Sequence, residues 1–237
     1  MVDEPLLYDL TDSPFCMKAR ICLNLKGVPF RRVTLTVDRR RELKQLNPLG
    51  QVPVLVQGTQ VVADSSAIAR HLEARVPHPS LIPADPAAAA YCGLIEEWAD
   101  EALYFLVGAF KWLNPANRET AIESTVGEVA DRWPRALVGW GMRRKIRKRF
   151  ALQGYDEARL PLLVERMQQN LRVLSGLLGD KPYLLGRTLT LADVAVFSQL
   201  AWMGRYAEAR LLEGEAAIGA WLERVEELPA VADALMA

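Results

Sequence analysis

Thr11-Asp12-Ser13-Pro14-Phe15-Cys16, between an apolar run at 6–10 and a helical pattern that closes on Gly27, is the stretch from which the fold can be read. Ser13 is a good N-cap, because its hydroxyl can accept an orphan N–H of the first helical turn, and Pro14 suits the first helical position. Met17, Ile21 and Leu25 recur at i, i+4 and i+8 ahead of Gly27, so the spacing predicts a helix over 14–26. Residues 6–10 read as the strand before it. Ligands of open α/β sheets bind beyond the carboxyl ends of strands, where Ser13 then sits. Unpaired N–H groups and the positive end of the helix dipole favour an anion there, such as a thiolate. A free thiol of pKa near ~8.5 is only slightly ionised at neutral pH, so this corner of the chain has the means to activate one.

Outward from this corner, residues 30–37 read as a β-branched second strand, which makes the opening β-α-β. Residues 53–57 and 60–63 are apolar segments split by Gly58-Thr59, the pattern of a tight hairpin. A helix then starts near Ser65, with Ile68, Leu72 and Val76 as its buried stripe and Pro77 as its stop. These elements predict a mixed sheet with helices, βαβ then ββα. Pro77, Pro79, Pro83 and Pro86 give 77–86 the composition of a stiff interdomain connection. Helical spacing follows over 87–113, 118–150, 160–178 and 191–206. The expected organisation is an α/β domain over 1–76, a linker over 77–86 and an all-helical domain over 87–237.

With 237 residues, 51% hydrophobic and 24% charged, the chain can bury a full core. Lys plus Arg and Asp plus Glu both total 29, so no overall charge draws it to nucleic acid or a membrane surface. The acidic start, Met1-Val2-Asp3-Glu4-Pro5, lacks the basic region of a signal peptide. No run approaches membrane-spanning length. Cys16, Cys22 and Cys92 form no CxxC pair, and their odd count fits a reducing compartment. A cytoplasmic location is expected. His71 and His78 lack ligand spacing, so no metal is expected.

Other residues carry candidate chemistry beside a plainer role. Ser13 as an N-cap alone would explain its position. Cys16, one turn into the same helix, is either a thiol helped by Arg20 and the dipole or a small buried hydrophobe. Pro53 opens the strand in Gln51-Val52-Pro53-Val54-Leu55; with a cis Val52-Pro53 bond, the Val52 backbone would be free to pair with a peptide-like ligand. Asp64-Ser65-Ser66 can cap a helix, or Asp64 can take an ammonium while Ser65 and its amide take a carboxylate. Thr190-Leu191-Ala192-Asp193 is a capping box with a structural role. Residues 143–149 hold six cations over a seam of Met142, Ile146 and Phe150, either a solvated face or an anion, lipid or nucleic-acid site.

Taken in order, Ser13-Pro14-Phe15, the stretch from Asn47-Pro48 to Val52-Pro53, Asp64-Ser65, and Gly186 with Thr190-Leu191-Ala192-Asp193 resemble the cytosolic glutathione transferases across nearly the whole chain. The resemblance implies a thioredoxin-like N-terminal domain, an all-helical C-terminal domain, a homodimer, and glutathione bound mainly by the first domain. It makes Ser13 the match of the activating serine of serine-type members, with Ser-Pro-Phe surroundings like those of the plant tau class. Val52 then pairs with the cysteinyl backbone and Pro53 matches the family's cis-proline. Asp64, commonly Glu in the family, and Ser65 grip the γ-glutamyl end. Phe15 also counts among the glutathione-binding positions, and Arg39 and Gln51 fall near positions that contact the glycyl carboxylate. Tyr8 lacks the surroundings of tyrosine-type members. Glutaredoxin-like relatives carry a cysteine where this chain has Ser13, and the basic segment followed by Gly154-Tyr155 faintly resembles the membrane-associated prostaglandin E synthase of the second type.

The expectation is detoxifying conjugation: Ser13 donates a hydrogen bond to the glutathione sulfur, and the second domain holds an apolar electrophile. Two alternatives stand beside it. One is a glutathione-dependent thiol-disulfide reductase using Cys16, and the other is a non-catalytic binding protein of the same fold.

Overall fold

The computed structural model describes residues 4–236; Met1, Val2 and Asp3, part of the acidic start, lie outside the described residues. Strand β1 (Leu6–Asp9) runs parallel to β2 (Arg31–Thr34) and antiparallel to β3 (Val54–Gln57), and β4 (Gln60–Ala63) pairs antiparallel with β3. The sheet order is β2-β1-β3-β4. Helices α1 (Pro14–Leu25), α2 (Arg40–Leu46) and α3 (Ser65–Arg75) complete this half. Successive strand residues face opposite sides. Leu7 and its register partner Leu55 therefore enter the main core with Met17, Ile21 and Ile68, while Tyr8 and Val54 pack with Leu43 of α2 on the other side. The two-residue hairpin between Gln57 and Gln60 turns on Gly58, whose φ of 58° is open to glycine at no steric cost.

Two elements differ from the expectation. The second strand is shorter than 30–37, because past Leu35 the backbone turns and Val37 donates to the carbonyl of Val129 at 3.0 Å. Helix α2 follows, unannounced by the sequence: Leu43 is its one buried residue, too little to make a periodic stripe.

The proline-rich segment after α3 is a pinned strap more than a spacer. The Lys26 ammonium, itself buried, donates to the carbonyls of Val76 (2.9 Å) and Pro79 (2.6 Å) and pairs with Glu73 at 2.7 Å. Leu81 is 3% exposed, and its carbonyl accepts the N–H of Leu191 at 2.7 Å.

The remainder is helical: α4 (Pro86–Trp98), a π-helical turn (Ala99–Leu103), α5 (Tyr104–Leu113), α6 (Arg118–Ala130), α7 (Arg135–Leu152), α8 (Leu160–Leu178), α9 (Leu191–Met203), α10 (Ala216–Glu226) and α11 (Pro229–Met236). The helix expected over 118–150 is two helices. Asp131 takes a φ of 46°, and Pro134, which has no N–H to donate, caps the second. Helix α9 is buried almost throughout and packs against α1, α4 and α5. Asp193 anchors its start: the carboxylate accepts from the N–H and hydroxyl of Thr190 (2.9 and 2.7 Å), the N–H of Leu184 (2.8 Å) and the indole of Trp221 (3.1 Å). Helix α11 returns to α1, where Arg20 and Asn24 donate to the carbonyls of Ala234 and Ala230. One apolar core thus runs through both halves.

Candidate active site

Ser13 caps α1 in extended geometry (φ −124°, ψ 120°), and its Oγ accepts the N–H of Cys16 at 3.3 Å. The side chain is half-buried and keeps a hydroxyl proton that it can donate. Cys16 is fully buried, and that burial together with the Asp9 charge pushes its thiol well up. A thiol held protonated in a core is a poor nucleophile. The two rivals of the sequence are thereby distinguished by access as well as by chemistry.

The loop that delivers Ser13 is held on several sides. Asp12 is buried and accepts from Lys111, from Ser124 (2.5 Å) and Thr125 (2.8 Å), from the Trp202 indole (3.0 Å) and from the Tyr206 hydroxyl (3.3 Å). Burial alone would raise its carboxyl, but the Lys111 charge and these donors hold it below the usual carboxylate range. Thr11 donates its N–H to both oxygens of Glu128 (3.1 and 3.0 Å). Asp9, at the end of β1, binds Arg20 at 2.7 Å and also takes Arg32. Helices α5, α6 and α9 therefore fix the start of α1.

The other sequence candidates emerge at the same edge of the sheet. The carboxyl end of β1 lies beside the amino end of β3 (Tyr8 opposite Val54), and Val54 lies opposite Ala63. Val52-Pro53 and Asp64-Ser65 thus leave the sheet next to the Ser13 loop, and Asp64 donates its N–H to the Pro53 carbonyl at 3.2 Å. The Val52-Pro53 bond is cis. Neither backbone polar group of Val52 has a hydrogen-bond partner among the described residues. Asn47 donates to the Gln51 carbonyl at 2.9 Å and so shapes the turn ahead of it.

Asp64 has a φ of 86°, unusual outside glycine. One of its carboxylate oxygens caps α3 through the N–H groups of Ser66 (2.9 Å) and Ala67 (3.0 Å). Ser65 is buried, and its Oγ has no partner. A polar group left so usually has a task. The neighbouring Ser66 meets a buried cluster in which Lys18 pairs with Glu96 (2.6 Å) and Asp100 (2.5 Å), tying α1 and α3 to α4. Arg39 precedes α2 and Gln51 precedes Val52; both are exposed, and Arg39 pairs with Glu42 at 3.2 Å. Tyr8 faces away from Ser13: its hydroxyl donates to Glu42, and burial with that carboxylate pushes it up to about 12.

Periodicity could not reveal the wall opposite. The Phe15 ring lies 4.7 Å from that of Tyr104, which is stacked on Trp202 at 5.8 Å and meets Phe105 at 5.3 Å. The Arg149 guanidinium lies 5.7 Å from Tyr104 and 5.3 Å from Phe105. Tyr104 and Phe105 lie in a helix apolar almost all round, so spacing marks no particular face as a ligand wall.

A capped helix start with a half-buried hydroxyl, the backbone groups of Val52 without partners and a set of stacked aromatic rings thus gather at one edge of the sheet. Two family models match the chain: the glutathione S-transferase N-terminal domain over residues 7–80 and the glutathione S-transferase C-terminal domain over 153–233. The chain belongs to the glutathione S-transferase family.

Glutathione is the co-substrate of that family. The chain is 28% identical to glutathione S-transferase U22 of Arabidopsis thaliana, over 85% of this chain and 75% of that one. It is 41% identical to a maleylpyruvate isomerase of a Ralstonia species, over 33% of this chain and 39% of the relative. The alignments to the first curated relatives span only 37% to 39% of those proteins. Among solved structures, glutathione S-transferase III in its apo form superposes with a TM-score of 0.72 at 25% identity, over 98% of this chain and 96% of that one. No helix among the described residues is long and apolar enough to cross a membrane.

Proposed function

We propose that this chain is a glutathione-dependent enzyme that joins the thiol of glutathione to an apolar electrophile. The observation that carries this reading is the contrast at the start of α1: Ser13 is accessible with a proton to donate, whereas Cys16 is buried with its thiol pushed up. Glutathione lies in extended form along the sheet edge, its cysteinyl backbone paired with Val52 beside Pro53. Asp64 takes the γ-glutamyl ammonium with the oxygen not used in capping, and the Ser65 hydroxyl and amide take the carboxylate. Arg39 and Gln51 face the glycyl carboxylate.

In the reaction the cysteinyl proton leaves to solvent, and Ser13 donates its hydrogen bond to the resulting thiolate. The sulfur lone pair then forms a carbon–sulfur bond to an electrophile seated against Phe15, Tyr104 and Phe105; with an aryl halide, the carbon–halogen bond breaks and halide leaves. The gain comes from a preorganised dipole and from proximity. Steady-state conjugation of glutathione to an aryl halide tests this reading, with Ser13→Ala expected to lose at least about tenfold in kcat/KM, roughly 1.4 kcal/mol. Unchanged activity removes Ser13 from the mechanism.

A second reading has its own support. The local identity to a maleylpyruvate isomerase falls on a segment long enough to hold the whole glutathione-binding half, so isomerisation through reversible addition of the same thiolate is the competing outcome. Formation of no stable conjugate, with turnover of an unsaturated dicarboxylate instead, would favour it. Exposed Tyr91 and Leu94 on α4 (63% and 67%) support a homodimer that covers them, and a cytoplasmic site of action fits three unpaired buried cysteines.

A further inference from the structure

The cationic stretch 143–149 is scarcely used by the site described above; Arg149 alone reaches it. Helix α7 packs against α5 and α6 and buries Gly139 and Phe150. Between α6 and α7 is a cavity of about 400 Å³, within the size range of small-ligand sites. Arg118 of α6 and Arg135, Arg143, Arg144 and Arg147 of α7 line it. Ile122, Ala136, Gly139 and Trp140 complete the lining, which includes no acidic residue. A second hollow of about 250 Å³ shares Arg118, Arg143 and Arg147 and meets Glu157.

These charges are poorly compensated. Among the described residues Arg118, Arg135, Arg143 and Arg144 form no salt bridge, and Arg147 approaches Glu157 only to 3.8 Å with both side chains half exposed. Like charges gathered so closely repel. Arg143 registers it: burial first, then Arg118 and Arg147, pull its pKa down. Trp140 is 64% exposed beside them, its ring 5.9 Å from the Arg144 guanidinium.

We propose that the groove between α6 and α7 binds an organic phosphate, a phosphate group carried on an aromatic or other flat apolar body. A phosphate accepts from two or more guanidinium forks at once, and five arginines line this largely apolar groove with no carboxylate among them. Trp140 and Ile122 supply the surface for the body, and bound phosphate relieves the repulsion among the arginines. A phosphorylated small molecule and a lipid phosphate headgroup share this chemistry.

Calorimetric titration of the full chain with phenyl phosphate and with inorganic phosphate tests the site, alongside co-sedimentation with phosphatidylcholine vesicles containing phosphatidic acid. Phenyl phosphate is expected to bind at least tenfold more tightly than inorganic phosphate. The double change Arg143→Ala with Arg147→Ala should weaken it at least tenfold while circular dichroism and Tm stay those of the parent, and Trp140→Ala should abolish the preference for the aromatic ester. Vesicle binding that phenyl phosphate displaces supports the same site and assigns the lipid as its source. Absence of phenyl phosphate binding, equal affinity in the arginine variant, or vesicle binding indifferent to phenyl phosphate would overturn the proposal.

Discussion

Ser13 and Cys16 differ by one helical turn, and access and hydrogen bonding separate them. The serine hydroxyl is accessible, its oxygen already receives one N–H of the helix start, and its proton is free for a sulfur. The cysteine is fully buried, with the Asp9 carboxylate adding to the cost of ionising its thiol. Cys16→Ser should therefore leave conjugation within about twofold, while placing a hydroxyl in the core costs on the order of 1–3 kcal/mol of stability by denaturant unfolding. Loss of most activity without loss of fold in that variant would instead restore the thiol to the mechanism. Both residues could be found in the sequence. The preference for Ser13 came with the family resemblance; the burial of Cys16 could not be read there, because it depends on α9 and the far end of the chain closing over α1.

Among elements, the loop from Thr11 to Ser13 owes its shape to helices more than 90 positions away. Asp12 and Lys111 are buried together, and removing one partner leaves the other charge uncompensated, a cost of about 3–5 kcal/mol. Asp12→Ala should lower the unfolding free energy by that order and, in whatever fold survives, raise KM for glutathione; a change under about 1 kcal/mol would mean the network contributes little. The strap gives a second test. Leu81→Ala, at a fully packed position between α3 and α9, should cost about 2–5 kcal/mol. Such long-range ties explain what the sequence conveyed at this level. Strands β1, β3 and β4, helices α1 and α3 and the α9 capping box carry local signals of cap, turn and stripe. Helix α2 has one buried residue, and the break between α6 and α7 was visible only as a lone proline. The Tyr104–Phe105 wall and the Asp12 hub are made by tertiary packing, which periodicity does not encode.

At the level of the whole molecule, one core joins the two halves, so the chain should unfold as a single cooperative unit by both circular dichroism and tryptophan fluorescence. The charge network predicts an acid limit. The Asp12 carboxyl is held below its unfolded value of about 3.9, so its contribution is present above that pH and is lost as pH falls through the lower, folded value. Tm should therefore fall more steeply in the parent than in Asp12→Asn as the solution is taken from about pH 5 toward pH 3. Parallel falls would assign acid lability to other groups.

In the proposed reaction everything turns on the start of α1, which through Ser13 would make a thiolate of bound glutathione. Ultraviolet titration of the thiolate in the binary complex measures this directly. The bound thiol is expected to ionise at least about one pH unit below the free value of ~8.5, and Ser13→Ala to return it most of the way. A bound thiol that titrates at its free value in the parent chain, or a lowered value that Ser13→Ala leaves in place, would contradict it.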